Sequence, residues 1–206
     1  INQVGIGYVT DPAFNPYSLT AHKFLFVESS IAPPGGHTVG KNGVVASGYV
    51  EGVDFEHHDA STLNAELNLL GTKYCAVVVA SDFGGVLAQA ELGILNARRA
   101  DIIACVNVGG GLYAMAESNS GAGLTPLGGW FDFVPTVVAS VSLNQGESGF
   151  TVTPLGASLG LTDSDVNGNA SHNFFQPGAT GLDPVDHDAT GNIMSLAGRS
   201  EIFVAT

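Results

Sequence analysis

Charge is what this sequence has least of. Only 12% of its 206 residues are charged, about half the usual share of a globular chain. Basic residues are scarcer still, six Lys and Arg against 19 acids, for a net charge of −13. So acidic a chain lacks the basic footprint that nucleic-acid binding requires, and it is repelled by anionic membranes. Cysteine is nearly absent: Cys75 and Cys105 are too few for a disulfide scaffold. They fall in different predicted elements and are read as two buried free thiols, with a single bridge as the alternative. No run of 18 apolar residues occurs, so no transmembrane helix is expected. The chain starts at Ile1 with no basic leader and apolar stretch ahead of it. A mature secreted chain would look like this, and so would a trimmed piece of a longer one. The acidic surplus suits calcium or another polyvalent cation, and it suits plain solubility equally well.

What is present is a set of apolar runs broken by turn residues. Residues 1–22 carry Pro12, Pro16 and several Gly and Asn and read as an irregular N-terminal arm with one short strand at Val4–Val9. Residues 23–206 then read as one domain, a size that buries a sizeable core. Lys23–Ser29 (KFLFVES) is a buried strand, and Ile31–Gly43 (IAPPGGHTVGKNG) a turn-rich loop after it. Phe55–Asp59 (FEHHD) is a short polar strand. Leu63, Leu67 and Leu70 keep helical spacing through Ala60–Leu70, which Asp59 or Ser61 would cap. Tyr74–Ala80 (YCAVVVA) is apolar almost throughout, as in a strand covered on both faces of a parallel sheet. Leu87–Val106 reads as one long helix ended by Gly109–Gly111, and Leu112–Ala116 as the next strand. The alternation of strand and helix implies right-handed parallel crossovers. After Ser120 glycines, prolines and short β-prone runs replace the helices, which predicts an antiparallel edge or hairpin extension.

The stretch from Val77 to Ser118 resembles the central unit of class I glutamine-amidotransferase-like domains, ThuA-like ones included, as found in secreted bacterial proteins. The matching pieces are Asp82 closing an apolar strand, Gln89, Leu95 and Val106 in the helix, the triplet Gly109–Gly110–Gly111, and the turn at Ala116–Ser118. The resemblance implies a flavodoxin-like three-layer α/β sandwich, its sheet mostly parallel, with the β-rich antiparallel part as a C-terminal extension. It also implies a nucleophilic cysteine on the turn after the strand, with a histidine base. Here the turn holds Ala116, Glu117 and Ser118, and Cys105 lies in the helix before the glycines, so glutaminase chemistry is not expected.

Ser118 could replace the thiol, with His172 as base and Glu117, Asp163 or Asp165 orienting it, although no G-x-S-x-G elbow is spelled. The competing reading makes Ser118 an ordinary turn residue. Glu56, His57, His58 and Asp59 form the densest polar cluster. Strand alternation puts His57 and Asp59 on one face, with Glu56 and His58 on the other. With His37 they could hold a divalent metal or a ligand, or simply end a strand. Asp163, Asp165, Asn167 and Asn169 open like a calcium loop, D-x-[DN]-x-[DN]-G, but its twelfth position is Phe174 rather than Glu. Asp186 to Gly191 is a fainter echo, and such strings are also ordinary turn chemistry. Asn169-Ala170-Ser171 is a glycosylation sequon, meaningful only in a glycosylating secretory route.

These readings favour a non-catalytic extracellular or cell-surface domain that self-assembles into an oligomer, with calcium as a candidate stabiliser. A hydrolase or carbohydrate-active enzyme using Ser118 and His172, and a metal- or small-ligand-binding module, are the alternatives.

Overall fold

Four short runs, three of them apolar and one (FEHH) polar, form a parallel block because helical segments cross back over a sheet face between them. The computed structural model describes residues 21–29, 39–81, 87–116, 128–143, 146–167 and 173–199, together with the backbone of 4–9. The parallel strands are β2 (Lys23–Val27), β3 (Phe55–His58), β4 (Tyr74–Val79) and β5 (Gly111–Ala116), in the spatial order β3-β2-β4-β5. β1 (Val4–Val9) runs antiparallel to β5 on one side and parallel to β10 (Ile193–Arg199) on the other. The segment read as an N-terminal arm therefore supplies a strand to the middle of the sheet.

Beyond β1 the sheet is antiparallel. The hairpin of β9 (Asp183–His187) and β10 is flanked by β7 (Thr151–Val152) beside β9, and by β8 (Asn173–Phe175) and β6 (Ser140–Ser142) beyond β10. The molecule is thus a mixed α/β fold, with a four-stranded parallel block and a five-stranded antiparallel block joined through β1.

Side-chain alternation assigns the two faces. Leu25, Val27, Val77, Val79, Leu112 and Ala114 enter the main core. It is covered by α2 (Leu63–Glu66) with the 3₁₀ turn Leu67–Leu69, by α3 (Gln89–Ala97) and by α4 (Arg99–Asn107). The opposite face carries a smaller core of Phe26, Phe55 and Ala80, packed by Phe24, Val44 and Val78. It lies under α1 (Val39–Ala46), a helix that begins inside the expected loop Ile31–Gly43 and runs past its end. Its glycines, Gly40 and Gly43, each disfavour a helix by about 1 kcal/mol against Ala. Tertiary packing overrides that cost.

The long helix expected over 87–106 breaks at Arg98, whose φ of −99° and ψ of 17° leave the helical region. The Arg98 guanidinium reaches Asn64, Asn68 and Asp101 instead. Gly109 does end α4 in the left-handed region, at φ 93°. Gly110 then donates its N–H to the Cys105 carbonyl at 2.8 Å, the wrap expected of a glycine helix terminus. Two short helices, α5 (Pro154–Ser158) and α6 (Asp163–Val166), interrupt the half read as strands and turns. No helix among the described residues is long and apolar enough to cross a membrane.

Candidate functional site

The carboxyl ends of parallel strands are where open α/β sheets place ligands, and here that edge carries a buried acid that composition hides. Phe24, Phe26 and Glu28 alternate onto the α1 face of the sheet. Glu28 is only 6% exposed, one residue past the end of β2. Its Oε2 accepts the Lys41 backbone N–H at 3.1 Å, so the strand-end carboxylate satisfies an orphan donor of the first turn of α1. Its Oε1 is buried and has no hydrogen-bond partner. Burial pushes the carboxyl up to about 7, against the helix N–H groups and the Lys41 charge, which favour the ionised form.

His57, on the neighbouring strand and the same face, faces this acid. Its Nε2 lies 3.7 Å from Glu28 Oε2 and 3.1 Å from the Glu28 carbonyl oxygen. A carbonyl can only accept, so Nε2 carries the proton and donates. Burial lowers the tendency of His57 to charge, only partly offset by that bond.

Glu56 and His58 point to the other face, as the alternation predicted, and meet Lys23, Glu66, Lys73 and Tyr74. Glu56, His58 and Glu66 could offer three metal-ligand atoms within 4.8 Å of one another. The position of a cation is, however, taken by an ammonium. Lys73 Nζ lies 2.6 Å from Glu56 and 2.9 Å from Glu66, and Lys23 Nζ is 2.9 Å from Glu56. The Tyr74 hydroxyl adds contacts of 2.5 Å to Glu66 and 3.2 Å to His58. These bonds, the Lys73 one first, hold the Glu56 carboxyl down at about 2, and Glu56 in turn raises Lys73. Asp59 lies past the strand. Its Oδ1 accepts from the Ser61 backbone N–H and hydroxyl, and its carbonyl takes the Leu63 N–H at 2.9 Å; the N-cap of α2 is Thr62, with no side-chain cap, so neither Asp59 nor Ser61 fills that position.

The calcium-loop residues sit far along the chain in α6. Asp163 accepts the Val152 N–H at 2.9 Å, Asp165 accepts the Thr162 N–H at 2.8 Å, and Asn167 accepts the Phe150 N–H at 2.9 Å. Each side chain thus gives one oxygen to a backbone N–H, in a capped helical turn. In the fainter echo Asp188 is likewise bonded by Thr190 and Asn192 of its own hairpin turn. His37, Glu117, Ser118, Asn169 and His172 lie outside the described residues. Both cysteines are free. Cys105 is buried on α4 with its thiol pushed up to about 11 by burial, the reverse of what a nucleophile needs.

Next to Glu28, between α1 and the sheet, a groove of about 570 Å³ is lined by Phe24, Val44, Tyr49, Val78, Tyr113 and Met115, with Gly40 and Gly43 forming the helix wall. Tyr113 is 41% exposed although it sits on an internal strand of the sheet. Sequence reading found the strand but not the groove, because an aromatic on a central strand reads as core. No protein-family model matches the chain, and no curated protein matches it.

Proposed function

We propose that this chain is a non-catalytic, flavodoxin-like binding domain that holds a small, largely apolar ligand between α1 and the parallel block. The observation that carries the reading is Tyr113, an aromatic left open on an internal strand because the glycine-walled side of α1 does not fill the space above it. A buried sheet face normally closes against its covering layer, and the volume is within the range of small-molecule sites. The groove adjoins the carboxyl edge of the parallel strands, where such ligands bind. The four parallel strands stand in the order second, first, third, fourth along the chain, which supports the flavodoxin-like assignment. The absence of catalysis is supported by the inert, helix-borne thiol of Cys105 and by acids and lysines that neutralise one another on the opposite face. The low charge of the chain supports a role outside the cell.

The test is ligand-observed NMR of the full chain with neutral aromatic fragments such as 2-phenylethanol. Binding should appear in the wild type and be lost in Gly43→Leu, whose side chain enters open space in the groove wall. Equal binding by both proteins would defeat the reading.

A second reading, self-assembly, is favoured by Val45, Tyr49, Val50 and Val53, all about half exposed or more along α1 and the connection to β3. Large apolar side chains exposed this close together along the chain suit an interaction surface. Analytical ultracentrifugation tests it: a monomer at high concentration, unchanged by Tyr49→Asp, removes this reading.

A further inference from the structure

The groove has one polar feature that its apolar lining leaves unexplained. Gly40 belongs to the groove wall, and a Cβ built on it would point from α1 into the gap between helix and sheet. The atoms it would meet there are Glu28 Oε1 and Cδ, then Phe26 Cζ at 3.2 Å. The unpartnered oxygen of Glu28 therefore lies in the same helix–sheet gap as the groove, at the end beneath the first turn of α1. The register says the same. Val27 pairs with Val79 and Val79 with Ala114, so one row further on Glu28 stands beside Ala80, and Ala80 beside Met115 of the groove floor. Among the described residues Ala80 is the one that stands between the acid and Met115 along that row.

An unpartnered buried carboxylate oxygen is costly, because it forfeits the bonds that water would supply. Oε2 takes the Lys41 N–H, the Gly40 N–H also favours the ionised carboxylate, and the nearby His57 N–H goes to the Glu28 carbonyl. Oε1, packed against Gly40 of the groove wall, has no hydrogen-bond partner. Phe24, Tyr49 and Tyr113 surround the apolar space with aromatic rings, which suit an aromatic body and attract a cation. Among the described residues no charged side chain lines the groove, and the chain as a whole carries a net charge of −13, which favours a positive ligand over a negative one.

We propose that the ligand of the groove is an amine-bearing aromatic molecule, its ring between α1 and the sheet and its ammonium on Glu28 Oε1. This rests on the reading of the groove as a ligand site. No covalent bond is made or broken; binding of the ammonium displaces the proton of the neutral carboxyl.

The experiment is isothermal titration of the full chain at pH 7 with three probes of similar shape: phenethylamine, 2-phenylethanol and 3-phenylpropionate. In the wild type the amine should bind at least about tenfold more tightly than the alcohol, and the acid more weakly than either. Amine binding should also release protons, read as a dependence of the heat on buffer ionisation, since the ammonium favours ionised Glu28. In Glu28→Gln the amine should lose its advantage while the alcohol keeps its affinity. Equal affinities for amine and alcohol in the wild type, or an amine preference that survives Glu28→Gln, would overturn the assignment and leave the groove standing. Should none of the three bind, the groove reading itself falls. The wild-type comparison decides the matter even if the variant folds poorly.

Discussion

His57 Nε2 and Glu28 Oε2 stand 3.7 Å apart, yet the His57 proton is given to the Glu28 carbonyl at 3.1 Å. The pair is therefore set up as two neighbours in one buried space rather than as a strong ion pair. The same burial that pushes the Glu28 carboxyl up to about 7 keeps His57 from charging.

This arrangement makes stability depend on pH in a direction opposite to ordinary acids. Glu28 binds its proton more tightly folded than unfolded, so the folded state holds more protons between about 4.5 and about 7. Stability accordingly falls as pH rises through that window and levels off above it. Asp186, also raised by burial, acts in the same sense. Glu28→Gln should flatten the slope and leave the protein more stable than wild type at pH 8, by up to about 3 kcal/mol. Urea denaturation at pH 5 and pH 8 measures this. A variant no more stable than wild type at pH 8 would contradict it.

The opposite face obeys the other sign. Glu56 is held down at about 2 by Lys73 and Lys23, so its contribution is present above about 4.5 and is lost as pH falls towards 2. Replacing Glu56 by Gln should cost on the order of 1 kcal/mol at neutral pH, since the group is only partly buried. Most of that cost should be lost in acid, as chemical denaturation at pH 7 and pH 2.5 would reveal.

Lys73 fills the place where a metal would sit. Adding zinc to the wild type should leave its melting temperature unchanged through this cluster. Lys73→Met, which strips the ammonium from Glu56 and Glu66, should melt earlier and be rescued by zinc, with EDTA reversing the rescue. Zinc stabilisation of the wild type that disappears in His58→Ala would show instead that the metal displaces Lys73.

The thiols provide a further check. Cys105 is buried and Cys75 half-buried, and burial raises both. Native protein should react with Ellman's reagent far more slowly than free cysteine does at pH 8, and two thiols should appear in denaturant. Fast titration of Cys105 in the native state would be inconsistent with the fold.

Gly110 tests the helix terminus that ends α4. A Cβ there would fall 2.7 Å from the Cys105 carbonyl oxygen and closer still to its sulfur. Gly110→Ala should destabilise the protein by about 1–3 kcal/mol. Adding Cys105→Ala should relieve only part of this, because the carbonyl remains. Thermal denaturation of the single and double variants separates the two contacts.

Much of the parallel block was legible because its signals are local. KFLFV, FEHH and YCAVVV are short apolar or alternating runs, and they form β2, β3 and β4. The opposition of Glu56 and His58 to His57 across the sheet follows from the two-residue period of a strand, and the structure bears it out. The glycines after α4 ended it as their φ freedom allows. Other elements were hidden by weak local preference. α1 carries two glycines and three β-branched valines in eight residues, so propensity argued for loop. At the break, Arg98 bonds Asn64 and Asn68, some thirty residues away, which no local pattern foretells.

By itself the sequence determined the acidic character, the parallel strands, the faces of β3 and the lack of a thiol on the turn after β5. Each of these depends on composition or on the repeat of one element. Tertiary structure alone decided that β1 lies inside the sheet, that Glu28 stops a strand beneath α1, and that Tyr113 stays open over a groove. These depend on which distant segments come to share one face. A strand's period says which residues point the same way, but only packing says what, if anything, meets them there.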